Sequence, residues 1–297
     1  MTARGPDALR ASLDARLMLA AQERAMDVNR LRRHLTFQRL LRRLPASDGW
    51  VLKGGYLLEV RLGSVARATR DLDLATTRRL GVGELRAAFE HSLDRDVDDD
   101  GFVFRVTGAH EHLREGGAAG GPGVQLSVSA DLAGRPFASV RVDVVARPAE
   151  IEGGVEQVVL PPVVAVPEWS AVVVPAVDLA QHAAEKLHAL SQMYAHARPS
   201  TRVKDLADLV LLIDSGALDE SRLRERVTAV FTARDGRPAE SGLPEPPAAW
   251  RAGYAELARS LSLPSPDLDV AFAEVAALFA RLIHPTLTAP STQEPHP

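Results

Sequence analysis

The sequence contains no cysteine, which excludes disulfide frameworks, thiolate zinc sites and cysteine nucleophiles. Aromatic residues make up 5% of the 297 residues, so an extended stacking platform for single-stranded nucleic acid is not expected. All apolar runs are far shorter than the roughly 18 residues that a membrane-spanning helix needs. The first 25 residues carry charges throughout and lack the apolar segment of a signal peptide. These absences predict a cytoplasmic protein with no membrane partner.

Lysine is also scarce. Of the 35 basic residues only three are lysines, Lys53, Lys186 and Lys204, and the others are arginines. A planar guanidinium does not replace a compact, flexible ammonium at every phosphate or catalytic contact. The three lysines are therefore candidate functional residues before any motif is considered.

The remaining composition, 46% hydrophobic and 25% charged, is that of a globular protein. Apolar residues recur with a helical period near the start of the chain and again in its last third, and strand-like alternation lies between these regions. The sequence predicts an α/β (α+β) fold. It comprises N-terminal helices over 1–45, a mixed-sheet α/β core over 46–176, a C-terminal helical bundle over 177–284 and a disordered tail over 285–297.

Two carboxylates lie close together in the central region. Alternation places Asp71 and Asp73 on one face of a strand, about 7 Å apart by strand rise, where they repel each other unless a cation lies between them. Mg²⁺ commonly takes one or two carboxylates together with substrate phosphates. A pair of solvated surface acids is the alternative. A third acid, Asp143, occupies a strongly β-forming run, a position that is unfavourable unless that strand face has a polar task.

Upstream of the pair, Lys53-Gly54-Gly55 joins a predicted strand to a predicted helix. Two glycines allow the backbone to approach a phosphate at a helix N-terminus, and the adjacent lysine supplies a point charge. A plain turn is the alternative interpretation of the same residues.

Thr69 shares the predicted strand face of Asp71 and Asp73. A phosphate or nucleotide attached to its hydroxyl would set negative charge against the two acids and block metal binding. Thr69 is therefore a candidate site of regulatory modification. An ordinary β-forming residue is the simpler interpretation.

The order of these features, together with two later motifs, resembles the AbiEii/AbiGii toxin family over roughly residues 30–215. That family includes the mycobacterial MenT toxins and belongs to the DNA polymerase β-like nucleotidyltransferases. Gly54-Gly55 stands where many members of the superfamily have Gly-Ser, so the hydroxyl expected at the phosphate is absent. The motifs are Lys53-Gly54-Gly55-x-x-Leu58, Arg61, Arg67-x-Thr69-x-Asp71-Leu72-Asp73, Asp143, Glu185-Lys186-Leu187-x-Ala189 and Arg202-x-Lys204-Asp205-Leu206-x-Asp208-Leu209.

The resemblance implies a nucleotidyltransferase core that uses Mg²⁺ and a nucleoside triphosphate. Asp71 and Asp73 would hold the metal with Asp143 as a third carboxylate. Lys186 would engage the nucleotide phosphates and Asp205 would complete the catalytic site. Nucleotide binding would involve Lys53, Gly54, Gly55, Lys186 and Lys204. The spacing of Lys204 and Asp208 also predicts a helical i, i+4 ion pair between them.

The resemblance further implies an RNA acceptor, often the 3′ end of tRNA, a block of growth and a cognate antitoxin. Residues 1–45 have a net charge of +6, and a cluster of arginines in the second predicted helix is suited to RNA phosphates. A solvated helix face is the alternative. Transfer to a small molecule of the aminoglycoside type, and non-catalytic nucleotide or RNA binding on the same fold, remain open. The candidate RNA-binding residues are Arg30, Arg33, Arg39 and Arg43.

Overall fold

The computed structural model describes residues 5–95, 98–112, 123–192, 202–240 and 242–284. The chain divides into two compact units, Met1–Asp178 and Leu179–Pro297. The helices predicted over 1–45 belong to the first unit. The tail predicted over 285–297 lies outside the described residues.

The first unit is a mixed sheet with helices. Its seven strands run in the order β3-β4-β5-β2-β1-β7-β6. Strand β2 pairs with β1 in antiparallel orientation and with β5 in parallel orientation. The elements are α1 (Pro6–Glu23), α2 (Val28–Leu41), β1 (Trp50–Lys53), α3 (Gly54–Leu62), β2 (Asp71–Thr76), α4 (Val82–Leu93), β3 (Phe102–His112), β4 (Gly123–Leu132), β5 (Arg135–Ala146), α5 (Pro148–Ile151), β6 (Val155–Leu160) and β7 (Val172–Val177).

The two faces of the sheet differ in polarity because successive side chains on a strand point to opposite faces. On β5, Val140, Val142 and Val144 are buried in one hydrophobic core with Leu31 and Leu35 of α2. The residues between these valines, which include Arg141 and Asp143, occupy the other face. The sheet therefore presents a polar face along β2, β5 and β4.

Helix α2 is anchored by buried ion pairs. Arg39 Nε donates to Asp100 Oδ2 at 2.5 Å and Arg43 contacts Asp100 Oδ1 at 2.7 Å. Both arginine side chains and Asp100 are buried. Burial alone would raise the pKa of Asp100, but hydrogen bonds from Arg43 and the charges of Arg39 and Arg43 bring it below its usual value. Arg39 and Arg43 thus stabilise the fold. Because their side chains are buried, they are not accessible for binding RNA.

The second unit is helical in the part that the structure describes. Apolar residues from several helices, such as Leu206, Val227 and Phe279, are buried in it. Asp219 and Asp267 cap two of the helices with their side chains. The predicted fold class, a mixed-sheet core with N-terminal helices and a C-terminal helical bundle, is confirmed. The helices are α6 (Leu179–Ser191), α7 (Arg202–Asp214), α8 (Glu220–Asp235), α9 (Trp250–Leu261) and α10 (Leu268–Ile283).

None of the helices within the described ranges combines the length and the apolar character needed to cross a membrane.

Candidate active site

Three carboxylates of the first unit lie on neighbouring strands. Asp71 and Asp73 are half-buried on one face of β2, as alternation predicts. Asp143 of β5 is the parallel register partner of Asp73. Gln125 of β4 is opposite Asp143 and donates from Nε2 to Asp143 Oδ1 at 3.0 Å. The sheet thus places Asp73 and Asp143 side by side, with Asp71 two residues away.

An arginine contacts the first carboxylate. Arg141 Nε donates to Asp71 Oδ1 at 2.7 Å, and the two side chains are 53% and 33% exposed. Exposed pairs of this kind contribute little to stability. The Asp71 carboxylate is therefore not locked in a structural role by this contact.

The glycines after β1 lie against the carboxylate strand. Gly54 has φ +69°, and a Cβ added to it would lie 2.6 Å from the Cβ of Asp73, too close for any rotation of the Asp73 side chain to relieve. A Cβ on Gly55 would lie 2.8 Å from Thr69 Oγ1. Lys53 is buried and is the register partner of Asp73. Lys53, Gly54 and Gly55 are thereby brought to the carboxylates at the first turn of α3.

These residues suit a magnesium ion. Within the described residues, no group of three His, Asp or Glu side chains is assembled closely enough to hold a metal. Mg²⁺ does not require such a group, since it is commonly bound through one or two carboxylates plus substrate phosphates. The donor set of Asp71 and Asp73, together with the close backbone approach at Gly54, fits that mode of binding.

Glu59 of α3, which the sequence analysis did not predict as a site residue, fixes the segment that precedes β2. Its carboxylate accepts from Arg30 Nε at 3.0 Å, contacts His34 at 3.1 Å and accepts the backbone N–H of Thr69. Burial alone would raise the pKa of Glu59, but the hydrogen bonds and charge of its partners bring it below its usual value. Thr69 is itself buried. The segment leading to Asp71 is therefore fixed by a buried ionic centre that also occupies Arg30.

The second unit contains another ionic cluster. Lys186 Nζ donates to Asp208 Oδ2 at 2.6 Å and to Asp205 Oδ1 at 3.2 Å, and Arg202 donates to Asp205 Oδ2 at 3.0 Å. The Lys186 and Asp208 side chains are buried. Burial alone would raise the pKa of Asp205, but the charges of Lys186 and Arg202 bring it below its usual value. The cluster holds the Lys186 ammonium at a fixed position between α6 and α7.

The predicted ion pair between Lys204 and Asp208 is wrong. Asp208 is buried and bound to Lys186 of the preceding helix, whereas Lys204 is exposed. Helical spacing offered Lys204 alone, but the buried Asp208 carboxylate pairs with the buried Lys186 of α6, because a buried carboxylate needs a buried counter-charge. Asp208, which the sequence analysis assigned to a structural ion pair with Lys204, is thus a member of the Lys186 cluster.

Known proteins resemble this chain in sequence and in fold. The family model described as "Nucleotidyl transferase AbiEii toxin, Type IV TA system" matches residues 38–279. Among solved structures, the chain is similar to MenT4, a nucleotidyltransferase toxin of Mycobacterium tuberculosis H37Rv, with 23% identity and a TM-score of 0.53 over 93% of this chain and 90% of that one. It is also similar to JHP933 of Helicobacter pylori, with 14% identity and a TM-score of 0.39 over 84% and 90%. No curated protein gives a significant match.

Proposed function

Because the chain belongs to the AbiEii nucleotidyl transferase toxin family, we propose that it transfers a nucleoside monophosphate from a nucleoside triphosphate to the 3′ end of an RNA, with tRNA as the acceptor. The family establishes a nucleotidyltransferase toxin of a toxin–antitoxin system. The nucleotide, the metal and the RNA are the proposed parts. Because the nucleotide, the metal and the RNA are found in the cytoplasm, the proposal includes a cytoplasmic location for the protein.

The carboxylates of the polar sheet face hold the metal in this proposal. Asp71 and Asp73 are the ligands, with Asp143 beside Asp73 in register. Bound Mg²⁺ supplies positive charge to the phosphates as negative charge develops during phosphoryl transfer.

The protein's own groups bind the triphosphate and receive the proton. Lys53 and the backbone at Gly54 and Gly55 approach the phosphates at the start of α3, and Lys186 adds a point charge. The acceptor hydroxyl oxygen bonds to the α-phosphorus, the bond from that phosphorus to the bridging oxygen breaks, and pyrophosphate leaves. The hydroxyl proton passes to Asp143. Asp205 is paired with Lys186 and Arg202, and it positions Lys186.

One observation carries the proposal: Gly54 approaches Asp73 so closely that no side chain fits at position 54. A plain turn does not require such an approach to a carboxylate. A phosphate bound to the first turn of α3 and to a metal on Asp73 requires the helix start and the carboxylate to be adjacent.

The test is labelled-nucleotide transfer. The protein is incubated with Mg²⁺, each α-labelled nucleoside triphosphate in turn, and total RNA. We expect label in a tRNA-sized band with wild type, and none with Asp73→Asn or Lys186→Met. Asp131→Asn, which removes a sheet carboxylate paired with Arg105, is the matched control and should keep the activity. Label in an added aminoglycoside and not in RNA would mean that the acceptor is a small molecule. No label in any fraction would overturn the proposed reaction.

The antitoxin follows from the family alone. A toxin–antitoxin family implies a cognate antitoxin that relieves the growth block.

A further inference from the structure

A groove of about 290 Å³ opens beside the carboxylates in the first unit. Three of its lining residues are arginines, and two others are serines. Arg141, which donates to Asp71 at 2.7 Å, connects the groove to the carboxylate pair. The lining residues are Arg33, Arg70, Ser127, Ser139, Val140 and Arg141.

The groove lies where β5 extends beyond β2. The pairing of the two strands begins at Asp71 and Arg141, so Ser139 and Val140 come before the first paired residue. Arg70 immediately precedes β2, and Arg33 comes from α2. Ser127 of β4 is the register partner of Arg141. The start of β2 therefore leaves a notch whose walls are arginine and serine side chains.

Two of the arginines have no counter-charge among the residues that the structure describes. Neither Arg33 nor Arg70 makes an ion pair with another residue in the described ranges, and Arg33 Nε is buried there without a hydrogen-bond partner. By contrast, Arg39 and Arg43 are neutralised by buried aspartates. A buried, unsatisfied guanidinium N–H is costly unless a ligand completes its hydrogen bonds.

We propose that this groove binds one backbone phosphate of the RNA acceptor. The chemistry is that of a phosphodiester: guanidinium groups match phosphate oxygens with paired N–H donors, and serine hydroxyls add donors. Aromatic side chains are absent from the lining, so base stacking has no part in it. This inference rests on the proposed function for the identity of the acceptor.

The groove is distinct from the proposed triphosphate cradle. Strand β2 lies between β1 and β5 in the sheet. Gly54 and Gly55 follow β1, whereas the groove is formed along β5 and β4. An RNA phosphate held in the groove and a triphosphate at the start of α3 would thus approach Asp71 and Asp73 from opposite sides of the same strand. This arrangement separates the acceptor from the donor.

The test measures RNA binding across a salt series. The probe is a fluorescent acceptor-stem hairpin with a single-stranded CCA 3′ end, and the variant is Arg33→Ser combined with Arg70→Ser. Loss of one phosphate contact should reduce the slope of log affinity against log salt by about 0.7 to 0.9. Arg78→Ser combined with Arg79→Ser is the matched control. It removes two exposed arginines at the other end of β2 and should leave the slope unchanged.

An unchanged slope in the groove variant, or an equal fall in the control, overturns the proposal. The affinity for a fluorescent nucleoside triphosphate is measured in parallel and should not change, and a loss of that affinity with unchanged RNA binding would assign the groove to the triphosphate. Arg70→Ser alone, whose side chain is exposed, serves if the double variant does not fold. It should reduce the slope in the same direction.

The reaction and the groove can fail separately. Transfer of label by wild type, with unchanged RNA binding in the groove variant, overturns the groove alone. Absence of transfer by wild type, with a reduced slope in the groove variant, overturns the reaction and leaves the groove as an RNA phosphate site.

Discussion

At the scale of single residues, the site depends on contacts that leave no room for substitution. Gly54 combines a positive φ with a close approach to Asp73. Gly63, at the other end of α3, has a similar φ of +64° and open space where a Cβ would be. Substitution of either glycine therefore strains the backbone, but only substitution of Gly54 also brings a side chain against Asp73.

Gly54→Ala should abolish nucleotide transfer, whereas Gly63→Ala should preserve it. Both variants strain the backbone by about 1–3 kcal/mol, and only the first displaces the Asp73 strand. Thermal unfolding measures the strain, and labelled-nucleotide transfer measures the site. Equal activity in the two variants would contradict the assigned role of Gly54.

Glu59→Gln tests the buried ionic centre beneath the carboxylate strand. The Glu59 side chain is 3% exposed, and removing its charge takes from the largely buried Arg30 the carboxylate with which it pairs. The free energy of unfolding at neutral pH should fall by about 3 kcal/mol. Glu90→Gln, which removes an exposed pair with Arg86, should change it by less than about 1 kcal/mol. Urea unfolding gives both values.

The same variant gives a pH signature. The pKa of Glu59 is lower in the folded protein than its usual value. Its stabilising contribution is therefore complete above the usual glutamate pKa of about 4.3 and is lost as the pH falls through the lowered value. The difference in unfolding free energy between wild type and Glu59→Gln should narrow below about pH 4. A difference that stays constant down to about pH 2.5, well below the usual glutamate pKa of about 4.3, would contradict this.

At the scale of elements, the cluster of Lys186, Asp205 and Asp208 links α6 to α7. Asp208→Asn should destabilise the protein by about 3 kcal/mol, because it leaves the buried Lys186 with one carboxylate in place of two. Asp269→Asn, in an exposed pair with Arg251, is the matched control and should have little effect. Chemical denaturation followed by circular dichroism reports both. If Lys186 engages phosphates as proposed, Asp208→Asn should also lower the affinity for nucleoside triphosphate.

Elements were predictable from sequence to the extent that local patterns determine them. Period-two alternation placed Asp71 and Asp73 on one strand face, and helical periodicity located α7 at residues 202–214. The partners of buried charges were not predictable in this way. Arg39 and Arg43 resemble a solvated basic face in sequence, and their partner Asp100 lies about 60 residues away. Asp208 was given the wrong lysine for the same reason, since local spacing does not report burial.

At the scale of the whole molecule, the enzyme is expected to act as a growth-inhibiting toxin. Induced expression of wild type should stop growth, and induced Asp73→Asn should not, because the proposed metal ligand is lost while the sheet is retained. Asp131→Asn, expressed to the same level, should remain toxic. Viable counts after induction and immunoblots of protein level decide the outcome. Toxicity of Asp73→Asn equal to that of wild type would mean that growth inhibition does not require the carboxylate pair.

The parallel pairing of β2 with β5 has a consequence for synthesis of the protein. Asp73 meets Asp143 only after the intervening residues have been made, and translation proceeds at about 5–20 residues per second. A nascent chain that ends before β5 cannot assemble the carboxylate row. The helix that carries Lys186 is made later still. Ribosome-bound chains of this toxin are therefore expected to remain harmless. Transferase activity is expected to appear only when translation is well advanced.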